Sequence, residues 1–345
     1  MSKVFIDSLN RFSEADWLAA VGSLAGDIHE VDRAAVQVWF RFYPLDLVRY
    51  LESADDLEAT MQGIVMQGDF GLLDKIDTSH AFLYGNRYWP QAKAEAIKRA
   101  ESGEPAGDLA AEIRSLAKTV ASDAKTKESL TLGIAAVALM TLVQTGIDEM
   151  KAASGMTSVP ASEMNRSPDA IVAERAKDDS QGIFGFLRTV NKKFTVDYEA
   201  FGYDGSFTII DNEEITSASQ KDQSREWQAM DERCWNGPVP IECTSASCGT
   251  CWIGVIGGTE KLSEPERREK TRIKTFGYNQ PDEKHPFLRL ACQTKAHGNA
   301  TIVIPPWNAV FGKKVRGNVE DVDLEPVTTS AKKLRETIAD AVSGE

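Results

Sequence analysis

The chain has 345 residues, with 39 Lys and Arg against 52 Asp and Glu, for a net charge of −13. That length allows two buried cores, and the acidity argues against a nucleic-acid partner. The charge is uneven: residues 1–180 sum to −10, residues 192–312 to −3.

Residues 1–155 read as an all-α domain of five to seven helices. Ser13-Glu-Ala-Asp16 before Trp17 is an N-cap signal. Apolar periodicity runs from Val31 to Leu51 and is interrupted by Pro44, which ends or kinks a helix. Further helices are predicted over Asp55–Met66, Trp89–Ala100, Leu109–Val120 and Lys127–Lys151, and no strand is predicted before residue 180. Ser129 to Ile147 carries no charge and is long enough to span a bilayer. Its Ala, Thr, Ser and Gly content and Gln144 point instead to a helix buried by protein. Direct membrane insertion is not expected.

Residues 156–182, rich in turn formers such as Gly155 at their edge, Pro160 and Ser167-Pro168, read as a linker. Residues 183–312 carry the β pattern. Phe194–Tyr198 and Ser206–Ile210 are predicted to form a hairpin with Asp204-Gly205 at its turn. A helix is expected over Asp222–Cys234, strands from Trp252 and Leu288 and over Ala300–Ile304, and a helix over Glu264–Ile273 behind a capping box of Ser263 and Glu266. A chain starting near Gly182 is therefore expected to fold alone. Residues 313–345 form a polar tail with a short amphipathic helix over Ser330–Val342.

Four of the five cysteines are spaced Cys243-x4-Cys248-x2-Cys251, with Cys292 after forty more residues. This is the plant-type pattern for a [2Fe–2S] cluster, in which three thiolates come from one loop and the fourth from a distant strand. The residues between the ligands, Thr244 to Ser247 and Gly249-Thr250, are small enough for the backbone to wrap a cluster. Two disulfides need an oxidising compartment, and the N-terminal residues carry no secretory pattern. A four-cysteine zinc site usually takes two close pairs rather than a triplet and a remote fourth. Cys234, outside this loop, reads as a small buried hydrophobe.

Residues from about Phe194 to Pro306 resemble a plant-type [2Fe–2S] ferredoxin domain, on Cys243–Cys251, Gly257-Gly258 and Arg289-Leu-Ala-Cys-Gln293. The resemblance implies a β-grasp fold, Cys243, Cys248, Cys251 and Cys292 as cluster ligands, and a low potential, about −400 mV. The gap to Cys292 is longer than the family's usual gap, so residues 260–287 read as an insertion or an extended helix and loop. The fold class expected overall is α+β: an N-terminal helical domain, then the β-grasp cluster domain. The helical half resembles no family we can name.

Asp74, Asp77 and His80 fall at spacing i, i+3, i+6, as a metal row would, although a hydrogen-bonded or capping histidine suits the pattern better. The aromatic run His80 to Pro90 is a packing seam or a contact surface. The chain contains no G-x-G-x-x-G dinucleotide motif after a strand, no P-loop and no second cysteine set. No catalytic site of its own is evident. The leading expectation is a cytoplasmic one-electron transfer protein, a subunit of a multisubunit oxidoreductase with redox partner proteins. A soluble carrier, and a structural or redox-sensing protein, are the alternatives.

Overall fold

The computed structural model describes residues 4–157, 159, 161–177, 192–278 and 284–316. The predicted helix over Ser330–Val342 and the end of the expected linker lie outside them. The chain divides into two units that are not contiguous in sequence: Met1–Glu52 with Gly71–Glu174, and Ser53–Phe70 with Arg175–Glu345. An unbroken helical domain over 1–155 is thus replaced by one that the chain leaves and re-enters.

The first unit is helical. Ser13 caps Glu14–Leu24: its hydroxyl accepts from the Asp16 N–H at 3.2 Å while the Asp16 carboxylate accepts from the Ser13 N–H at 2.8 Å. Pro44 separates Glu30–Phe42 from Leu45–Glu52. Trp89–Ser102 and Leu109–Asp123 pack on Leu132–Ala152, which is buried at every position from Leu132 to Leu142. Among the described residues this is the one helix long and apolar enough, by length and composition, to cross a membrane. It is broken at Gly146, where φ is +81°. The uninterrupted part has about 14 residues and is roughly 21 Å long, short of the ~30 Å hydrocarbon core.

The second unit contains every strand among the described residues. They are β1 Gln67–Gly68, β2 Lys193–Ala200, β3 Tyr203–Ile210, β4 Glu213–Glu214, β5 Trp252–Gly257, β6 Leu288–Leu290, β7 Lys295–Ala296, β8 Ala300–Val303 and β9 Trp307–Asn308. Five form one sheet in the order β3-β2-β8-β5-β6, with β2 and β8 parallel and the other neighbours antiparallel. β4–β7 and β1–β9 form two small antiparallel pairs. β1 lies where no strand was predicted. The preceding helix, Leu57–Gly63, buries none of its side chains, so it has no face to hold it in a helical domain. Ile64 just beyond it is fully buried and its carbonyl accepts from the Val310 N–H at 2.7 Å.

Three local expectations are corrected. The β2–β3 turn lies at Phe201-Gly202, not at Asp204-Gly205. Gly202 supplies φ +102°, and the resulting register sets Phe194 opposite Ile209 and Val196 opposite Phe207. Gly205 instead leaves room for Tyr198, whose hydroxyl would stand 2.6 Å from a Cβ there. Within Asp222–Cys234 only Trp227–Met230 is helical. Asp222 and Asp231 spend their carboxylates on the N–H groups of Ser224 and Arg233, local bonds that compete with a helix. The helix expected from Glu264 begins at Arg267 and ends at Phe276. Its capping box does not form, because the Ser263 hydroxyl accepts from the Lys295 N–H and the Ser263 N–H bonds the Lys295 carbonyl.

Candidate metal centre

Residues 241–251 form a loop without regular structure between the Trp227–Met230 helix and β5, and Cys292 lies two residues past the end of β6. Because β5 pairs with β6, with Trp252 opposite Leu290, the end of the loop meets the fourth cysteine. The Ala291 N–H donates to the Cys251 carbonyl at 2.9 Å and fixes that approach.

The four cysteines singled out in the sequence stand in two thiol pairs. The Cys248 thiol lies 3.2 Å from the Cys243 sulfur, and Cys251 and Cys292 form a second hydrogen-bonded pair. All are free thiols. Backbone N–H groups converge on the sulfurs: Ser247 on Cys243 at 3.3 Å, Ser245 and Cys248 on Cys243 as well, Thr250 on Cys248, Ala246 on Cys292 and Cys292 on Cys251. Left-handed backbone at Ala246, φ +55°, and Gly249, φ +77°, turns these groups inward. A Cβ on Gly249 would also stand 3.1 Å from the Phe276 ring.

These donors act on the thiols. The bond from Cys248, followed by the N–H groups, pulls Cys243 down to about 5, and the bond with Cys251 lowers Cys292. Cys248 and Cys251 are raised, chiefly because each donates to its partner and is buried. Four soft sulfur donors in two pairs, ringed by N–H groups, suit two thiophilic irons bridged by sulfide. The residues fit a [2Fe–2S] cluster. Only the Thr244-Ser245 stretch of the loop is exposed; Cys248 is partly so, and Cys243, Cys251 and Cys292 are buried.

Residues 209–297 match the family model of the 2Fe-2S iron-sulfur cluster binding domain. The matched segment contains Cys243, Cys248, Cys251 and Cys292, and this C-terminal domain binds a [2Fe–2S] cluster. The match covers the C-terminal part of the chain only, and the fold as a whole is mixed: an N-terminal helical region followed by the cluster domain. No solved structure matches the chain.

The other candidates are placed elsewhere. Cys234 is fully buried, bonds the Pro238 carbonyl at 3.2 Å and lies 3.6 Å from the Tyr203 hydroxyl; burial pushes its thiol up to about 12. Asp74, Asp77 and His80 do not converge. Asp74 is exposed, Asp77 binds Lys93, the Trp89 indole, Ser154 and the Gly155 N–H, and His80 is buried, bonded to Asn86 at 3.0 Å and packed on Trp89. Among the described residues no group of three or more His, Cys, Asp or Glu stands where it could hold a single metal ion, and the four cysteines stand as two thiol pairs.

Three residues beside the centre were not picked out from the sequence for a role. Gln293 donates to the Cys292 sulfur at 3.4 Å and to the Thr244 carbonyl at 3.0 Å, tying the remote ligand to the loop. Its place directly after the last cysteine was the available signal. Tyr278 donates to the Gly249 carbonyl at 2.7 Å and stacks on Trp252 at 3.9 Å. Arg289 is buried and grips Glu269 through both carboxylate oxygens, at 2.8 and 3.0 Å, and the same carboxylate accepts from the Leu290 N–H. That pair fastens the Arg267–Phe276 helix to β6, just before Cys292.

Proposed function

We propose that the chain transfers single electrons through a [2Fe–2S] cluster held by Cys243, Cys248, Cys251 and Cys292, in a β-grasp domain that serves a larger redox complex. The observation that carries this reading is the convergence of the four sulfurs, in two pairs, within a segment that matches the cluster-binding family. Cys243 with Cys248, and Cys251 with Cys292, would each hold one iron. The bound cluster supplies a one-electron couple. The N–H groups of Ser247, Ala246 and Thr250 offset negative charge on the sulfurs, and Trp252, Phe276 and Tyr278 exclude water from the inner side. The Thr244-Ser245 edge is where an electron would enter or leave.

The β-grasp reading is supported by the parallel β2–β8 pair at the centre of the sheet, the β2–β3 hairpin and the Ile215–Ser219 helix packed on β3. Free thiols with no disulfide among the described residues fit a reducing compartment such as the cytoplasm. The all-round burial of Leu132–Leu142 supports a helix covered by protein rather than lipid. A partner is suggested by charge. The Arg267–Phe276 and Gly312–Arg316 helices pack together and expose Arg267 and Lys274 on one of them and Lys314 on the other. In a chain of net charge −13 such a platform suits an acidic redox protein.

The test is direct. Protein purified without oxygen should hold about two irons and two acid-labile sulfides per chain. Each of Cys243→Ser, Cys248→Ser, Cys251→Ser and Cys292→Ser should lose or distort the visible spectrum, and Cys234→Ser should keep it. Zinc in place of iron would falsify the reading.

A further inference from the structure

The segment that lengthens the gap between Cys251 and Cys292 reaches back to the cluster loop through one buried side chain. Tyr278 is 1% exposed, and its hydroxyl donates to the Gly249 carbonyl at 2.7 Å. The ring is held by the 3.9 Å stack on Trp252 and by contacts with Phe276, Trp307 and Phe311, so the hydroxyl has one direction to point. Trp252 is in turn fixed by its indole N–H on the Trp307 carbonyl at 2.8 Å.

The Gly249 carbonyl and the Thr250 N–H belong to one planar peptide group. That N–H lies against the Cys248 sulfur beside the Thr250 hydroxyl, which acts on the same sulfur more strongly. A donor on the carbonyl oxygen draws electron density through the amide and makes its N–H a stronger donor. Donors to cluster sulfurs favour the more negative, reduced state and raise the potential. We propose that Tyr278 is a positioning residue that tunes the cluster by polarising the Gly249–Thr250 peptide, so that its hydroxyl raises the reduction potential through the bond from Thr250 to Cys248. This rests on the cluster assignment above and adds a residue outside the ligand motif.

The strengthening of one bond in a hydrogen-bonded chain is about 10–30%. For a bond to a charged sulfur that amounts to a change of about threefold in the reduction equilibrium, or roughly 30 mV for one electron. The experiment compares wild type and Tyr278→Phe as full-length holoproteins, by redox titration followed optically and by electron paramagnetic resonance, with iron and sulfide counted in each. The expected result is an unchanged cluster content and a potential lower by about that threefold factor. Site-specific 3,5-difluorotyrosine at position 278 keeps the ring's shape and makes the hydroxyl a better donor, so the potential should rise. It also covers the case in which Tyr278→Phe does not fold. Equal potentials in the cluster-bearing proteins overturn the proposal. A wild type without iron and sulfide overturns the cluster assignment itself, a separate outcome read from the same preparation.

Discussion

A chain that starts at residue 182 should fold poorly and hold its cluster weakly, because it lacks residues 53–70. Those residues belong to the same unit as the cluster domain. Ile64 is fully buried, and burying such a side chain contributes about 1.5–3 kcal/mol. The Asp69 N–H donates to the Pro306 carbonyl at 2.9 Å, the Val310 N–H to the Ile64 carbonyl at 2.7 Å, and β1 adds its ladder to β9. At about 1 kcal/mol net for each backbone bond, these contribute about 3–4 kcal/mol. Phe70 packs edge-on against Trp307 at 5.0 Å, and that pair contributes about 1 kcal/mol more. The loss of about 6–8 kcal/mol is comparable to the whole stability of an ordinary domain, about 5–15 kcal/mol. It falls next to the centre, since Trp307 packs on Trp252 at 5.1 Å, beside Cys251. The assay is chemical denaturation followed by the visible absorbance of the cluster, with iron counted beforehand. Two proteins are compared: residues 182–316 alone, and the same with 53–70 joined through a flexible linker. The joined protein should hold a full cluster and unfold at clearly higher denaturant. If the two unfold within about 1 kcal/mol of each other and hold equal iron, residues 53–70 are only an appendage and the reasoning fails.

Three further predictions follow from buried charge and exposed charge. Burial holds His80 down to about 4 against an ordinary 6.5, so the unfolded chain takes the proton first. Its contribution is intact above about pH 6.5 and lost as the pH falls toward 4, about 3 kcal/mol in all; His80→Gln should flatten the denaturation free energy across that window even if it lowers stability at pH 7, and an unchanged slope would count against the assignment. Arg289→Met leaves Glu269 buried without its partner and should cost about 3–5 kcal/mol, whereas Arg289→Met with Glu269→Leu should recover much of it; denaturation of the three proteins decides, and equal losses in the single and double variants would mean that the pair is not the fastening. Arg267→Glu with Lys274→Glu, both exposed, should slow electron transfer to an acidic redox protein at low salt and leave the potential unchanged, and stopped-flow rates that do not respond to the variant or to salt would remove the platform from consideration.

What could be read from the sequence was what depends on near neighbours. The Ser13 cap and the stop at Pro44 both act over a few residues, and each stands where its spacing placed it. The failures share a different cause. Asp204-Gly205 is the better turn by composition, but the buried faces of β2 and β3 decide the register, and they close the hairpin at Phe201-Gly202. Ser263 and Glu266 have the spacing of a capping box, but the Ser263 hydroxyl has a partner in Lys295, thirty-two residues away. β1 is two residues long and exists only because Trp307–Asn308 lies beside it. No window along the chain contains that information.

The long gap between Cys251 and Cys292 is explained by the same distinction. A shorter connection would suffice to carry the chain from β5 to β6, which are adjacent in the sheet. This connection is anchored at two points by contacts that no spacing rule encodes. Glu269 binds Arg289, three residues before the last cysteine, and Tyr278 binds Gly249, two residues before the third. Phe276 fills the space that a side chain on Gly249 would take. Gly249 therefore answers two demands at once, a left-handed backbone and an aromatic ring against its α-carbon, and only the first could be argued from the motif. A Gly249→Ala chain separates the two. If strain in the backbone were the whole cost, pairing it with Phe276→Leu would bring no relief; if the ring matters as the geometry requires, the second substitution should restore part of the cluster content lost in the first.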